Sequence, residues 1–270
     1  MNATANVAGS FVYTPAAGTV LNAGNGQTLS VNFTPSDTTN YNASSHSVVI
    51  NVVKATPVIG WNNPANITCN TPLGATQLNA IANVPGSFVY TPSAGTILNL
   101  GSGQTLAVNF TPTNTANYNT TSRSVTINVV DTTAPLLTLK SDIKLWPPNH
   151  NYSTVTMAQM VQSVSDGCST LNVSSVVIEK VTSDEPDDVA GDNDGIATND
   201  IVIAADCKSV QLRAERNLTL NGRVYVVTLR VKDASGNTTK KDFKVNVPIG
   251  QNGAAAVQDA TAQTRTSVCP

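Results

Sequence analysis

Over much of the chain, apolar and polar residues alternate with period two, in short runs cut by Gly, Pro, Asn and Asp. Leu29-Ser30-Val31-Asn32-Phe33 is one such run, and Ser47-Val48-Val49-Ile50-Asn51-Val52-Val53 is another. Alternation of this kind gives a strand one dry face and one wet face, so two sheets must pack together to bury the dry sides. Phe11-Val12-Tyr13 is also β-prone and is ended by Thr14-Pro15 and Ala17-Gly18. The whole pattern then returns. Gly9–Tyr41 (GSFVYTPAAGTVLNAGNGQTLSVNFTPSDTTNY) reappears as Gly86–Tyr118 (GSFVYTPSAGTILNLGSGQTLAVNFTPTNTANY). From Met1 against Leu78 to Val53 against Val130 the copies agree at roughly 70 % of positions, which defines an internal repeat. The expected fold class is all-β, in tandem sandwich modules.

Four segments follow from the repeat and its punctuation. The first module covers residues 1–54 and the second 55–130, joined at the Pro-containing connector Lys54-Ala55-Thr56-Pro57. A second connector, Asp131-Thr132-Thr133-Ala134-Pro135, opens a third module over 131–248, and 249–270 reads as a flexible tail. Short connectors with proline favour limited bending between modules. Met1-Asn2-Ala3 aligns with Leu78-Asn79-Ala80, whereas the second copy is preceded by Ala55–Gln77 with strand signals of its own. The first module therefore lacks its opening strands. Two readings stand: a fragment of a longer protein, or an incomplete sandwich that takes a strand from another chain. Either leaves core and backbone groups open to a partner.

In the third module the strand candidates are Leu136–Leu139, Leu171–Val181, Asp200–Ala204, Ser209–Glu215, Arg223–Lys232 and Lys241–Val247. Thr156–Val164 predicts a short helix, with Met157, Met160, Val161 and Val164 at helical spacing as a lid on the core.

With 40 % hydrophobic residues there is enough apolar material for cores, while charged residues are only 12 %, about half the usual share. Thr, Ser and Asn fill the surface instead, as in small secreted β domains. A net charge of −2 provides no broad basic surface for nucleic acid and no polybasic membrane patch. No apolar run approaches the roughly 18 residues of a membrane span. Four cysteines stand at 69, 168, 207 and 269, without zinc spacing. Cys168 and Cys207 bracket the acidic loop of the third module and are the expected disulfide, closing a loop of about 40 residues worth on the order of 4 kcal/mol. Free thiols or an intermolecular bond remain open for Cys69 and Cys269. Cysteine usage and Thr/Asn-rich repeats both favour an oxidising, extracellular or cell-surface setting.

Modules one and two resemble bacterial Ig-like repeats of the MBG type. The residues that carry this are Gly86-Ser87-Phe88-Val89-Tyr90-Thr91-Pro92, Ala94-Gly95-Thr96, Gly103-Gln104-Thr105-Leu106 and Phe110-Thr111-Pro112 through Asn117-Tyr118. Module three resembles hyalin-repeat-related bacterial Ig-like modules, through Asp131–Pro135, Leu145-Trp146-Pro147-Pro148-Asn149-His150 and Asp233-Ala234-Ser235-Gly236-Asn237. The resemblance implies tandem Ig-like sandwiches in surface or secreted proteins, used as spacers, adhesive parts or accessories to an enzyme elsewhere. It implies no common ligand, and the acidic insertion of module three departs from a plain hyalin repeat.

The densest functional-group chemistry is Ser183–Gly195, continuing to Asp200, which holds seven of the seventeen acidic residues. Carboxylates this close repel unless a cation or solvent separates them, and hard oxygens on a Gly-containing loop suit Ca²⁺. Asp184, Asp187, Asp188, Asp192, Asp194 and Asp200 are the candidate ligands, against a solvated loop without metal. An EF-hand is excluded, since Gly195 at its sixth position puts Ala190 first and Ile201 twelfth. Asp131, Asp166 and Asp233, each in a turn-like segment, form a second candidate Ca²⁺ site, against Asx-turn caps at each. Trp146 and Tyr152 flank a proline-stiffened segment and are candidate sugar-stacking contacts, against Trp146 as a core anchor. Trp61 is expected inside the second module. Arg213 and Glu215 read as a surface ion-pair ladder.

Enzyme signatures are absent: there is no GxSxG, HExxH or phosphate loop, and His46 and His150 have no partner pattern. The expectation is a non-catalytic, calcium-stiffened structural or adhesive segment whose partners are other protein modules or copies of itself. The alternatives are a polysaccharide-binding accessory module and a fibre subunit assembled by strand donation from Ala254–Pro270.

Overall fold

The computed structural model describes residues 2–187, 199–217, 220–251, 256–258 and 267–268. The chain divides into two compact units, Met1–Ile67 with Thr71–Val129, and Thr68–Asn70 with Val130–Pro270. Modules one and two thus share the first unit, and the second is module three and the tail with four residues of module two, Thr68–Asn70 and Val130.

In module one, β1 (Gly9–Thr14), β2 (Gly24–Pro35) and β3 (Ser44–Val52) form one antiparallel sheet in that order. Phe11 faces Phe33, Tyr13 faces Val31, and Leu29 faces Val48. Module two continues with β4 (Ile59–Gly60), β5 (Ile67–Thr68), β6 (Ile81–Ala82), β7 (Gly86–Thr91), β8 (Gly101–Pro112) and β9 (Thr121–Val130). The sheet β7-β8-β9 repeats the register of β1-β2-β3, with Phe88 opposite Phe110, Tyr90 opposite Val108 and Leu106 opposite Val125. β5 extends this sheet beside β9, giving the order β5-β9-β8-β7, while β4 and β6 form a separate pair and Trp61, next to β4, packs edge-on against Tyr90 of β7.

Local chemistry accounts for the shared hairpins. Gly26 and Gly103 adopt φ near +67° at matching bulges, and their N–H groups donate to Asn51 Oδ1 and Asn128 Oδ1 at 2.8 Å. At Gly9 a Cβ would come within 2.4 Å of the Thr34 carbonyl and 2.5 Å of the Phe33 ring, and Gly86 is equally confined by Thr111 and Phe110. Only glycine lets these strands approach so closely. The Lys54–Pro57 connector is fixed on the second module: Lys54 Nζ donates to Thr115 O at 2.7 Å, and Ala55 exchanges backbone bonds with Asn117 and Asn119.

In the second unit, β10 (Leu136–Leu139), β11 (Ile143–Lys144), β12 (Tyr152–Thr156), the single turn α1 (Met157–Met160) and β13 (Val161–Ser165) come first. Then follow β14 (Val176–Ser183), β15 (Ile201–Ile203), β16 (Ser209–Arg213), β17 (Arg223–Lys232), β18 (Thr238–Val247) and β19 (Ser267–Val268). One sheet runs β11-β18-β17-β14-β19, a second β12-β16-β15, and β10 pairs with β13. Between them lies the core, with Ile178, Leu212, Leu229, Phe243 and Met160 fully buried. The fold class is all-β, in tandem Ig-like β-sandwich modules.

Three expectations change. The helix ends at Met160, because β-branched Val161 enters β13 opposite Leu139; Met157, Met160 and Val161 still cap the core. The tail is not wholly free of structure: Ser267 and Val268 pair with Val181 and Lys180 at the edge of β14. The disulfide joins Cys69 to Cys168, not Cys168 to Cys207. Cys207 is itself disulfide-bonded. The N–H of Cys69 donates to Val130 O, and Asn70 Nδ2 donates to Gly167 O at 2.8 Å, so the 68–70 segment is docked beside the 166–168 turn. Sequence distance favoured the shorter loop; this docking decides the pairing.

Candidate carboxylate site and a buried ionic cluster

Asp131 begins the connector after β9, Asp166 the turn after β13, and Asp233 the turn between β17 and β18. The fold brings all three together, with one carboxylate oxygen from each within 4.8 Å of the others. Each carboxylate is oriented by its own turn. Asp131 Oδ1 accepts from Thr133 N at 3.1 Å and Thr133 Oγ1 at 2.9 Å. Asp166 Oδ1 accepts from Cys168 N and Ser169 N, both at 2.8 Å. Asp233 accepts from Asn237 N at 2.8 Å and Asn237 Nδ2 at 2.9 Å, and the same amide reaches Asp131 O. The Asx turns anticipated at these positions are therefore present, and they converge. Burial pushes the Asp233 carboxyl upward, but the hydrogen bonds from Asn237, Gly236 and Ser235 outweigh it and hold it below the ordinary range.

Asp131 is 8 % exposed, and its Oδ2 has no hydrogen-bond partner among the described residues. A buried carboxylate oxygen facing two further carboxylates carries a desolvation cost that protein donors here do not offset. Oxygens bound to one Ca²⁺ at about 2.4 Å lie no more than about 4.8 Å apart, and the three carboxylates meet that limit. The disulfide sits beside the cluster: Cys69 and Cys168 lie within the same distance of Asp131. As half-cystines they are not thiolate ligands.

The acidic loop leads elsewhere. Asp184 Oδ1 accepts from Val224 N at 2.8 Å, and Asp200 pairs with the fully buried Arg223 through NH1. Arg223 also meets Glu185 at 3.3 Å, Glu215 at 3.7 Å and the Tyr225 hydroxyl at 2.8 Å. Arg213 Nε lies 3.1 Å from Asp200 and 3.7 Å from Glu215, and its guanidinium covers the Tyr152 ring at 4.8 Å. Asp184 and Asp200 are thus held by a strand backbone and by arginines. Asp187 is half-buried nearby, while Asp188, Asp192 and Asp194 lie outside the described residues. The Arg213–Glu215 pair is not a surface ladder, since Glu215 is fully buried. Burial raises the Glu185 carboxyl, with the Asn217 N–H and Arg223 opposing it. Burial likewise raises the Tyr225 hydroxyl. His150 Nδ1 stands 3.7 Å from Glu215 at the rim. Arg223 is the member that the sequence reading missed. Its signal is a lone arginine opening the apolar run Val224–Val231, in which only Thr228 and Arg230 are polar.

Trp61 is inside, as expected, with its ring edge-on to Tyr90 at 5.5 Å and Nε1 donating to Gln77 O. Trp146 is 40 % exposed and is not the core anchor; Leu145 beside it is buried. Tyr152 is similarly exposed, but its hydroxyl is bonded to Asn199 O and one ring face is taken by Arg213.

No protein-family model matches the chain, and no curated protein matches it. Among solved structures it is similar to the protocadherin gammaB7 EC3-6 cis-dimer, with 13 % identity and TM-score 0.36 over 82 % of this chain and 58 % of that one. It is also similar to protocadherin gamma B2 extracellular cadherin domains 1-5, with 13 % identity and TM-score 0.39 over 86 % and 47 %. A third is human protocadherin-24 EC1-2, with 16 % identity and TM-score 0.31 over 70 % and 96 %. The chain spans about half the length of the first two. No helix among the described residues is long and apolar enough to cross a membrane.

Proposed function

We propose that the chain is a non-catalytic, extracellular structural and adhesive segment of a bacterial surface or secreted protein, whose third module binds Ca²⁺ through Asp131, Asp166 and Asp233. Two facts about Asp131 carry the calcium reading: its Oδ2 is buried and unpartnered, and its carboxylate converges with those of Asp166 and Asp233, one oxygen of each within 4.8 Å of the others. A bound divalent cation neutralises three converging negative charges and joins the start of the module to two of its turns, which stiffens it. Water completes a coordination shell of six to eight oxygens. The disulfide and the Thr/Asn-rich repeats support the extracellular setting. The non-catalytic reading is supported by the chemistry of the ionic cluster, where Asp200, Glu185 and Glu215 face arginines inside the core. Its partners are other protein modules.

Thermal unfolding with Ca²⁺ and with chelator tests the metal. At free Ca²⁺ about 100-fold above Kd the gain is about 2.7 kcal/mol, and the module's melting temperature rises by several degrees. Asp131→Asn, which keeps the acceptor for Thr133, loses this rise while melting like the parent in chelator. Identical melting with and without Ca²⁺ removes the calcium claim. The polysaccharide alternative retains one supporting observation, the exposure of Trp146; pull-down on insoluble glycans, lost in Trp146→Ala, is its test.

A further inference from the structure

Cys69 and Asn70 lie across the backbone mounts of two of the three converging carboxylates. The N–H of Cys69 donates to Val130 O at 3.0 Å, one residue before Asp131. Asn70 Nδ2 donates to Gly167 O at 2.8 Å, one residue after Asp166. The disulfide then reaches Cys168, whose own N–H donates to Asp166 Oδ1 at 2.8 Å. Both sulfurs also stand against Asp131, within 4.8 Å of one of its carboxylate oxygens. Asp233 is joined differently, through the Asn237 amide, which donates to Asp233 Oδ2 and to Asp131 O. Hydrogen bonds thus hold Asp233 to Asp131, whereas a clamp containing a covalent bond holds Asp166 to Asp131. The mounts differ as well. Asp233 sits on the hairpin of two ten-residue strands, β17 and β18, while Asp166 opens the irregular stretch 166–172 that follows β13.

We infer that the Cys69–Cys168 disulfide sets the Ca²⁺ affinity of the Asp131, Asp166 and Asp233 site by holding the Asp166 turn in its binding position, so that reduction by a dithiol weakens Ca²⁺ binding. Three carboxylates this close repel one another when no cation lies between them. The Asp166 turn is the one with least regular structure to resist that repulsion, and the clamp opposes it. Fixing the ligands before the ion arrives removes an ordering cost from binding. Reduction transfers two electrons and two protons from the dithiol, leaving thiols at Cys69 and Cys168 and a disulfide in the reductant. Both half-cystines are half-buried, within reach of a small dithiol. By linkage, Ca²⁺ protects this disulfide by the same factor that the disulfide gives to Ca²⁺ affinity. The inference rests on the calcium reading above and adds regulation to it.

The test titrates Ca²⁺ calorimetrically into the full chain as parent, as the double variant Cys69→Ser with Cys168→Ser, and as Asn70→Ala. The last keeps the disulfide and changes an exposed side chain. Binding at least about ten-fold weaker is expected in the double variant, as for loss of groups that orient metal ligands. Asn70→Ala should bind about five-fold more weakly, the worth of one hydrogen bond of about 1 kcal/mol. The parent equilibrated with dithiothreitol, with thiols at Cys69 and Cys168 read by mass spectrometry, should favour the disulfide about ten-fold more in Ca²⁺ than in chelator. A disulfide that only stabilises the fold lowers melting in chelator and leaves Kd unchanged. A parent-like Kd in the folded double variant therefore overturns the inference while the calcium reading stands. If the double variant does not fold, a parent-like Kd in Asn70→Ala overturns it instead. A parent that binds no Ca²⁺ removes the calcium reading and this inference together.

Discussion

Leu29, Val31 and Phe33 in one repeat and Leu106, Val108 and Phe110 in the other are the same side chains, on strands of equal length, paired in the same register. In the second repeat all three are at most 1 % exposed; in the first all are only half-buried. On the neighbouring strand Val125 and Ile127 are buried, while Val48 and Ile50 are exposed. The difference lies outside the strands, in residues 55–77. Strand formation and register are written locally, in alternation and in turns such as Gly24–Gln27 and Gly101–Gln104. Burial belongs to a pair of layers, so one sequence yields a core in one setting and an open groove in the other.

The largest effect should come from making the closed copy like the open one. Trp61→Ala removes the edge contact with Tyr90, the bond to Gln77 O and a ring that is 3 % exposed. A loss of about 3–5 kcal/mol is expected, measured by urea unfolding followed by far-ultraviolet circular dichroism. A loss below about 1 kcal/mol would mean that the 55–77 layer is not what closes the second face.

A matched pair sharpens the contrast. Leu106→Ala should cost about 3 kcal/mol, as for a sealed core leucine, and Leu29→Ala less than about 1.5 kcal/mol, because water already reaches that site. Equal losses would mean that Leu29 is covered in solution, with analytical ultracentrifugation of the parent chain identifying a second copy as the cover.

The same division between local and non-local information explains what the sequence disclosed. Alternation gave β1–β3 and β7–β9, the bounds of β10 and β17, and an interior Trp61, because each depends on a few neighbouring residues. The two-residue spacing of Arg213 and Glu215 predicts one shared strand face, but β16 ends at Arg213 with Val210 and Leu212 as its buried positions. That Glu215 beyond its end is fully buried depends on Arg223, which arrives from another strand. Asp184 and Asp200 were drawn to a cation by their acidic neighbours, yet the positive charge beside Asp200 is a guanidinium more than twenty residues away. Asp131, Asp166 and Asp233 stand in turn-like sequences able to reach one end of the sandwich. Their turns and convergence agree with that, because each Asx turn is local and the hairpin between β17 and β18 sets the rest. Cys69 found Cys168 across 99 residues, a pairing that no spacing rule favours over the nearer Cys207.

The smallest effect tests how the closed face grips its cover. Arg123, a long polar side chain opposite Val108, grips the cover through Nε to Trp61 O at 3.0 Å and NH1 to Ile59 O at 3.1 Å. His46 holds that position in the open copy, opposite Val31. Arg123→His should weaken the second module by about 1 kcal/mol, the net worth of two such bonds at a solvent-exposed side chain. The reciprocal His46→Arg leaves stability unchanged, because residue 46 is exposed and the added guanidinium has no cover to hold. Urea unfolding measures both variants. An Arg123→His variant as stable as the parent would mean that these two bonds do not hold the cover, and the two copies of the repeat then differ in more than its presence.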